Sequence, residues 1–357
     1  MKTSPKLTFF VIAVSYVVYA ISGPLVAQET TSAPTSEKPA ETTSVEGKDA
    51  ETNKEDAEKP KDGKRVAPAV NDDAVSAIER SRDAIKKLRS ISANVRETVA
   101  IGGKKVRATG RYVQGTEGKL RVEFQIHLGS KEDGLTGTLL QVSDGKILWT
   151  QRRIGDTEKD SPKVTRRDVE KIRTAAAAAN PQISDSVLLA ELGLGGLPAL
   201  LSSIENSMTL HAIRDEKIQN KTFTVVEGTW KNAIYARFQQ AARQGSDRLP
   251  EHIPDSVLIY LDPEHELFPR RIEYRKRHPT KDFSRPQVTV DFVDIVLDGP
   301  VKEEEFAYAA PEGIVIEDLT KAYLDRIDVG SANALSGGAD PGGVSAVQGG
   351  LNPGGAP

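Results

Sequence analysis

Short stretches in which apolar and polar residues alternate constrain this sequence most. In Lys119–Leu128, the residues Leu120, Val122, Phe124 and Ile126 are apolar, and the residues between them are polar or charged. Successive side chains of a strand point to opposite faces, so this period of two predicts a half-buried strand of an antiparallel sheet. The joints between such stretches are rich in glycine, as hairpin turns are. The predicted strands are Ser92–Ile101, Lys105–Val113, Lys119–Leu128, Thr136–Val142, Lys146–Gln151, Thr209–Asp215, Lys221–Trp230, Asp255–Leu261, Arg270–Arg277 and Gln287–Leu297.

Segments with the helical period of 3.6 residues lie before and between two blocks of strands. They are a helix from Asp72 or Asp73 (its N-cap) to about Ser90, then Val169–Ala179, Asp185–Leu192 and Leu197–Met208, with Asn232–Gln244 as either a short helix or a mobile strand edge. The leucine-rich helices need a broad apolar surface, and the sheet is the only candidate. A change of apolar parity in the last strand predicts a β-bulge near Phe292–Asp294. We therefore expect an α+β, mainly β fold, in which one strongly curved antiparallel sheet closes around its helices.

The N-terminal residues 1–27 have the composition of a secretory signal peptide. Two lysines precede an apolar run, Leu7–Ile21, which is shorter than the roughly 20 residues of a membrane-spanning helix. We predict cleavage after Ala27 or Ala20. The alternative is an uncleaved N-terminal anchor, because Leu25 is large for the position that it would hold before the cleavage site. In both cases the rest of the chain is exported, and we expect a periplasmic protein.

Two further segments cannot contribute to a packed core. Residues 28–71 are rich in Thr, Pro, Glu and Lys, and residues 330–357 are rich in Gly and Pro. Neither buries enough apolar area to offset the entropy of ordering it, so we predict a disordered linker and a disordered tail. Residues 72–329 remain as one domain of the 357-residue chain.

Composition excludes several kinds of chemistry. The chain has no cysteine, which rules out disulfides, thiolate metal sites, a cysteine nucleophile and lipid attachment at a cysteine. Its five histidines are scattered without a metal-ligand pair, and the sequence has no GxSxG motif. The net charge of −3 gives no argument for nucleic-acid binding. We expect no enzymatic activity, metal, cofactor or nucleic-acid partner, and we expect a monomer.

Four short motifs, in order along the chain, resemble those of a known family. They are Gly118–Glu123, Ser143–Trp149, Leu261–Ile272 and Phe306–Asp318. Together they are similar to the corresponding segments of the LolA-like outer-membrane lipoprotein-carrier superfamily, whose members are half-barrels of the LolA/LolB/RseB type. The hairpin motif of that family is matched here by Asp144, Gly145 and Trp149.

The resemblance implies an exported carrier or chaperone built as an incomplete barrel of about ten to eleven strands, with helices plugging its concave face. Its partners would be acyl chains of a lipid or lipoprotein, together with membrane-bound donor or acceptor proteins. The alternative is an envelope sensor of the same fold, which binds a protein partner and regulates an envelope response.

Two groups of residues are candidates for binding. The first would line an apolar cavity, with an ordinary closed core as the alternative, and comprises Leu120, Val122, Phe124, Ile126, Leu140, Leu148, Leu197, Leu200 and Leu201. The second is a basic stretch that would dock lipid headgroups or an acidic partner, with a solvated sheet face as the alternative. It comprises Arg270, Arg271, Arg275 and Arg277.

Overall fold

A computed structural model of the chain describes residues 68–101, 103–129, 135–155, 161–179, 195–241, 248–325 and 327. Its strands are β1 (Ser90–Ile101), β2 (Lys104–Gly115), β3 (Lys119–Leu128), β4 (Leu135–Asp144), β5 (Ile147–Ile154), β6 (Lys163–Asp168), β7 (Met208–Ile218), β8 (Lys221–Trp230), β9 (Ser256–Asp262), β10 (Phe268–Arg277), β11 (Ser284–Leu297) and β12 (Ile316–Asp318). Its helices are α1 (Asp72–Lys87), α2 (Val169–Ala179), α3 (Gly196–Ser207) and α4 (Asn232–Ala241), with short 3-10 turns at Pro263–His265 and Glu303–Phe306.

All twelve strands belong to one curved, open sheet in the order β12-β6-β5-β4-β3-β2-β1-β11-β10-β9-β8-β7. The two blocks of strands along the sequence are joined where β1 pairs with β11. Every pairing is antiparallel except that of β12 with β6, which is parallel. The α+β, mainly β fold predicted from the sequence is therefore confirmed. The predicted strands omitted β6, whose residues directly precede the predicted helix Val169–Ala179, and the three-residue β12.

The alternation in β3 produces the expected two-sided strand. Leu120, Val122, Phe124 and Ile126 are each no more than 5% exposed and face the main core. The bulge predicted in β11 is also present, because the register with β1 shifts between Ser92 and Asn94 and Asp294 adopts a positive φ of 51°. A bulge of this kind increases local twist, as a curved sheet requires.

Helices α1 and α3 pack against each other and against one face of the sheet, which we call the inner face. Asn71, not Asp72 or Asp73, caps α1, and its Oδ1 accepts a hydrogen bond from the Ala74 N–H at 3.0 Å. The buried side of α1 includes Ile78 and Ile85, and burial of each such side chain stabilises the fold by about 1.5–3 kcal/mol.

The segment 299–325, which we call the C-terminal strap, runs along the opposite or outer face of β3–β5 before β12 joins the sheet. Phe306 in the strap is buried, and Glu305 forms an ion pair with Arg111 of β2 at 3.1 Å. After β12 the chain turns helical, and Tyr323 and Leu324 pack with α2 in a second, smaller core.

Among the residues that the structure describes, no helix has both the length and the apolar character needed to cross a bilayer. The predicted signal peptide 1–27, most of the linker 28–71, the predicted helix Asp185–Leu192 and the tail 330–357 lie outside the described residues. The segment Asn232–Gln244, predicted as either a short helix or a mobile strand edge, contains the helix α4.

Candidate functional site

The structure brings most of the predicted cavity residues together on the inner face. The four apolar residues of β3 lie in one buried cluster with Leu197 and Leu201 of α3, and Leu200 packs against its border. Leu148 also lies on the inner face, because β5 pairs it with Ser143, which in turn pairs with Leu120. It packs with α2, however, in the smaller core.

The assignment of Leu140 to the cavity was wrong. In β4, Leu139 pairs with Phe124 and faces the inner side, whereas Leu140 pairs with Glu123 and Gln151 on the outer face. Because successive residues of a strand point to opposite faces, only one of two adjacent leucines can face the helices.

The inner face is largely filled by α1 and α3 within the described residues. A cleft there has a volume of about 250 Å³ and lies between the β2–β3 turn and the start of α3. It is lined by Lys86, Leu88, Gln114, Gly115, Thr116, Glu117, Gly118, Lys119, Leu120, Gly195, Gly196, Pro198 and Ala199. A second pocket, of about 20 Å³, lies at the far end of β3–β5.

The start of α3 is fixed against β2 at the wall of the cleft. The Leu197 N–H donates to the Tyr112 hydroxyl at 3.1 Å, and the Tyr112 hydroxyl in turn donates to Gln114 Oε1. Gly196 has a positive φ of 56°, and a Cβ at this position would overlap both of these oxygen atoms. Only glycine therefore allows α3 to begin in this contact.

The cleft has apolar and charged parts. Leu88, Leu120 and Ala199 contribute apolar surface, and the charged residues of the lining are Lys86, Glu117 and Lys119. Lys119 Nζ lies 2.7 Å from Glu303 of the strap, and this hydrogen bond raises the pKa of the lysine above its usual value. Apolar surface beside charged groups suits an amphiphile with a polar head and an apolar tail.

A buried acid on the inner face was not predicted from the sequence. Glu97 of β1 is 4% exposed and lies between Ala108 and Val290 of the neighbouring strands, and its carboxyl group has no hydrogen-bond partner among the described residues. Burial raises its pKa to about 8. The signal was available, because Glu97 interrupts the apolar parity of the strand between Val95 and Val99.

The predicted basic docking face is not a free positive surface. Arg270 forms an ion pair with the buried Asp262 at 2.8 Å, and it lies at a register shift between β9 and β10. Arg271 and Arg275 share the face opposite the core with Glu273, to which Arg275 binds at 2.7 Å. Arg271 also binds Asp291 of β11 at 2.5 Å. Arg277, at the end of β10, is exposed.

The hairpin motif has a structural role in the described chain. Asp144 Oδ1 accepts hydrogen bonds from the N–H groups of Lys146 and Ile147, each at 2.8 Å, and Gly145 has a φ of 95°. Trp149 lies on the outer face, where its ring stacks on Tyr308 of the strap with 5.2 Å between the ring centroids. The motif therefore closes a turn and helps to hold the strap.

One group of metal-type ligands occurs among the described residues, at Asp262, Glu264 and His265. Burial alone would raise the pKa of Asp262, but hydrogen bonds from Arg270 and from the Glu264 N–H lower it below its usual value. The carboxylate is thus already used to fix the turn between β9 and β10.

No family model and no curated protein matches the sequence. Solved structures that are similar include LprF from Mycobacterium bovis (14% identity, TM-score 0.33, 66% of this chain and 97% of that one). Another is the Pseudomonas aeruginosa MucA/MucB complex (11% identity, TM-score 0.31, 66% of this chain and 61% of that one). A third is a putative outer membrane lipoprotein-sorting protein domain from Vibrio parahaemolyticus (9% identity, TM-score 0.27, 65% of this chain and 97% of that one). The sequence motifs resemble this kind of protein. These likenesses concern the fold alone, and with every TM-score below 0.5 they add no argument about function.

Proposed function

We propose that the protein is an exported, periplasmic carrier that holds the acyl chain of a lipid or lipoprotein between the inner face of the sheet and the helices α1 and α3. The observation that carries the proposal is the cleft at the start of α3, whose lining combines apolar residues with the charged residues Lys86, Glu117 and Lys119. Burying an acyl chain there would contribute about 0.8 kcal/mol for each CH₂ group, and no catalytic group is required.

The size of the cleft determines how such a ligand would enter. A volume of about 250 Å³ is below the roughly 300–1,000 Å³ of most small-molecule sites. A long chain would therefore have to displace side chains between α3 and the sheet. The contacts that would resist this movement are the Leu197–Tyr112 hydrogen bond and the ion pair of Arg82 on α1 with Glu205 on α3.

The test is lipid binding by the full chain and by a variant whose cleft is filled. Leu88 lines the cleft and is only half-buried, so Leu88→Trp adds bulk there without a deep core change. We expect native mass spectrometry to detect lipid bound to the wild-type protein. We expect Leu88→Trp to weaken the binding of a fluorescent fatty acid by about tenfold or more, because several CH₂ groups lose their site.

The matched control is Val315→Trp in the strap, where the side chain is 88% exposed. It adds the same bulk away from the cleft and is expected to bind like the wild type. A wild-type protein that neither carries lipid nor binds the fatty acid, or a Leu88→Trp variant that binds normally, would contradict the proposal.

A second candidate function is an envelope sensor that binds a protein partner. It is favoured by β7, the last strand of the sheet order, which pairs only with β8 among the described strands. An open strand edge of this kind can accept an extended peptide as a further strand. N-terminal sequencing of the mature protein discriminates between the two functions, since a protein anchored by residues 1–27 could not shuttle lipid between membranes.

A further inference from the structure

One edge of the sheet differs from the rest of the surface. It consists of neighbouring strand ends, from the end of β5 through the start of β4, the end of β3, the start of β2 and the end of β1 to the start of β11 and the end of β10. The register places these ends side by side, since Leu128 pairs with Leu135 and Arg277 pairs with Ser284. We call this border the basic edge.

Large apolar side chains are exposed along the basic edge. Leu135 is 48%, Ile154 42% and Phe283 49% exposed. They are three of the seven large apolar side chains that are exposed in the described part of the chain. Leu135 and Ile154 lie on the inner side of neighbouring strands, beyond the area that α1 and α3 cover, so the edge presents apolar surface to its surroundings.

The charged groups of the basic edge are mostly positive. Its exposed basic residues are Lys105, Arg107, Arg153, Arg277, Lys281 and Arg285. The one exposed acid within the β10–β11 connection is Asp282, and Arg285 lies 4.0 Å from Glu251. The connecting segments 130–134 and 156–160, outside the described part, contain five acidic and two basic residues by sequence.

The opposite strand ends have a different character. There several of the charges occur in pairs of opposite sign, as in Lys119 with Glu303, Arg89 with Asp298 and Lys221 with Glu264. Among the described residues, the basic edge therefore carries an excess of exposed positive charge, although the net charge of the protein is only −3. A surface that joins exposed leucine, isoleucine and phenylalanine with lysine and arginine is typical of protein that rests on anionic lipid.

We propose that the basic edge docks on the surface of an anionic bilayer, with Leu135, Ile154 and Phe283 entering the interface and the basic side chains meeting lipid phosphates. This inference goes beyond lipid carriage and does not depend on it, since a sensor could also rest on a membrane. Each basic group near an anionic surface adds to the attraction, and the attraction weakens as salt screens it.

The experiment is vesicle flotation of the full chain with phosphatidylcholine vesicles that contain either about 30% phosphatidylglycerol or none, at about 50 and about 500 mM NaCl. We expect at least tenfold tighter binding to the anionic vesicles at low salt, and most of this difference to vanish at high salt. Lys105→Glu combined with Arg285→Glu should weaken anionic-vesicle binding by at least tenfold. Phe283→Ser should also weaken it.

Lys146→Glu combined with Lys302→Glu is the matched control, because both lysines are exposed at the other end and the change of net charge is the same. This control should bind like the wild type, and circular dichroism verifies that each variant is folded. Equal binding to neutral and anionic vesicles, equal loss in both double variants, or no vesicle binding at all would overturn the proposal, and the last result would point to a protein partner instead.

Discussion

Glu97 places an ionisable group among apolar side chains of the inner face. Its pKa of about 8 lies well above the usual 4.5 because burial penalises the charged carboxylate. The unfolded chain ionises this group above pH 4.5, whereas the folded chain keeps the proton up to about pH 8. The folded state therefore loses stability as the pH rises through this window.

We predict that Glu97→Gln removes this loss. The free energy of unfolding of the wild type, relative to that of the variant, should fall from pH 5 to pH 9 by an amount on the order of 4 kcal/mol or less. Urea titrations at pH 5, 7 and 9 measure it. The exposed Glu304→Gln variant is the control, and a wild type that differs from Glu97→Gln by the same amount at every pH would contradict the prediction.

At the residue scale, the sequence predicted whether a side chain is buried better than it predicted which face of the sheet the side chain lies on. The four alternating residues of β3 could be assigned to one face because the residues between them are polar. Leu140 and Val142 could not be assigned to a face in this way. Both lie on the outer face, but Val142 is fully buried there beneath the strap and therefore has the apolar character of a core residue. The basic stretch of β10 was misleading for a related reason, since its carboxylate partners Asp262 and Asp291 come from other strands.

The strap is an element held mainly by side chains rather than by a long ladder. Tyr308 stacks on Trp149, and its hydroxyl donates to Gln151 Oε1 at 2.8 Å. β12 then pairs with β6 over three residues only. Arg166 supports both contacts, because it lies over the Trp149 ring and 3.2 Å from Asp318.

Two substitutions separate the contacts of Tyr308. Tyr308→Phe keeps the ring stack and removes the hydrogen bond, so it should lower the free energy of unfolding by about 0.5–1.5 kcal/mol. Tyr308→Ala also removes the stack and should cost at least about 1 kcal/mol more. Urea unfolding followed by fluorescence, which includes the Trp149 signal, measures both. Equal losses in the two variants would show that the stack contributes nothing.

At the element scale, the prediction succeeded where a period was sustained and failed for short strands. The bulge at Asp294 was predictable because the apolar parity changes within a long strand. β6 has only six residues and leads directly into α2, so its period could not be separated from that of the helix. β12 has three residues, all exposed, and carries no periodic signal.

At the scale of the whole molecule, one core spans both blocks of strands. The main cluster extends from Ala74 to Phe292 and includes residues of β1–β4 and of β7–β11. A chain that folded as two domains would show two separate clusters here. The predicted single domain 72–329 is thus open to a direct test by unfolding.

The two tryptophans report on the two blocks, since Trp149 lies in β5 and Trp230 in β8. We predict that Trp149→Phe and Trp230→Phe each unfold in urea with the same midpoint by the remaining tryptophan's fluorescence and by circular dichroism. Two midpoints that differ between the probes within a variant would show that the blocks unfold separately.

The pairing of β1 with β11 has a consequence for folding during synthesis. The hydrogen-bonding edge of β1 on that side becomes covered only when residues 284–297 arrive, almost two hundred positions later. At the usual pace of synthesis, about 5–20 residues per second, that delay is on the order of 10–40 s. During this time β1 is an unpaired edge strand of the sheet formed by the first six strands. Either the sheet forms only after β11 has been made, or a chaperone covers this edge in the nascent chain.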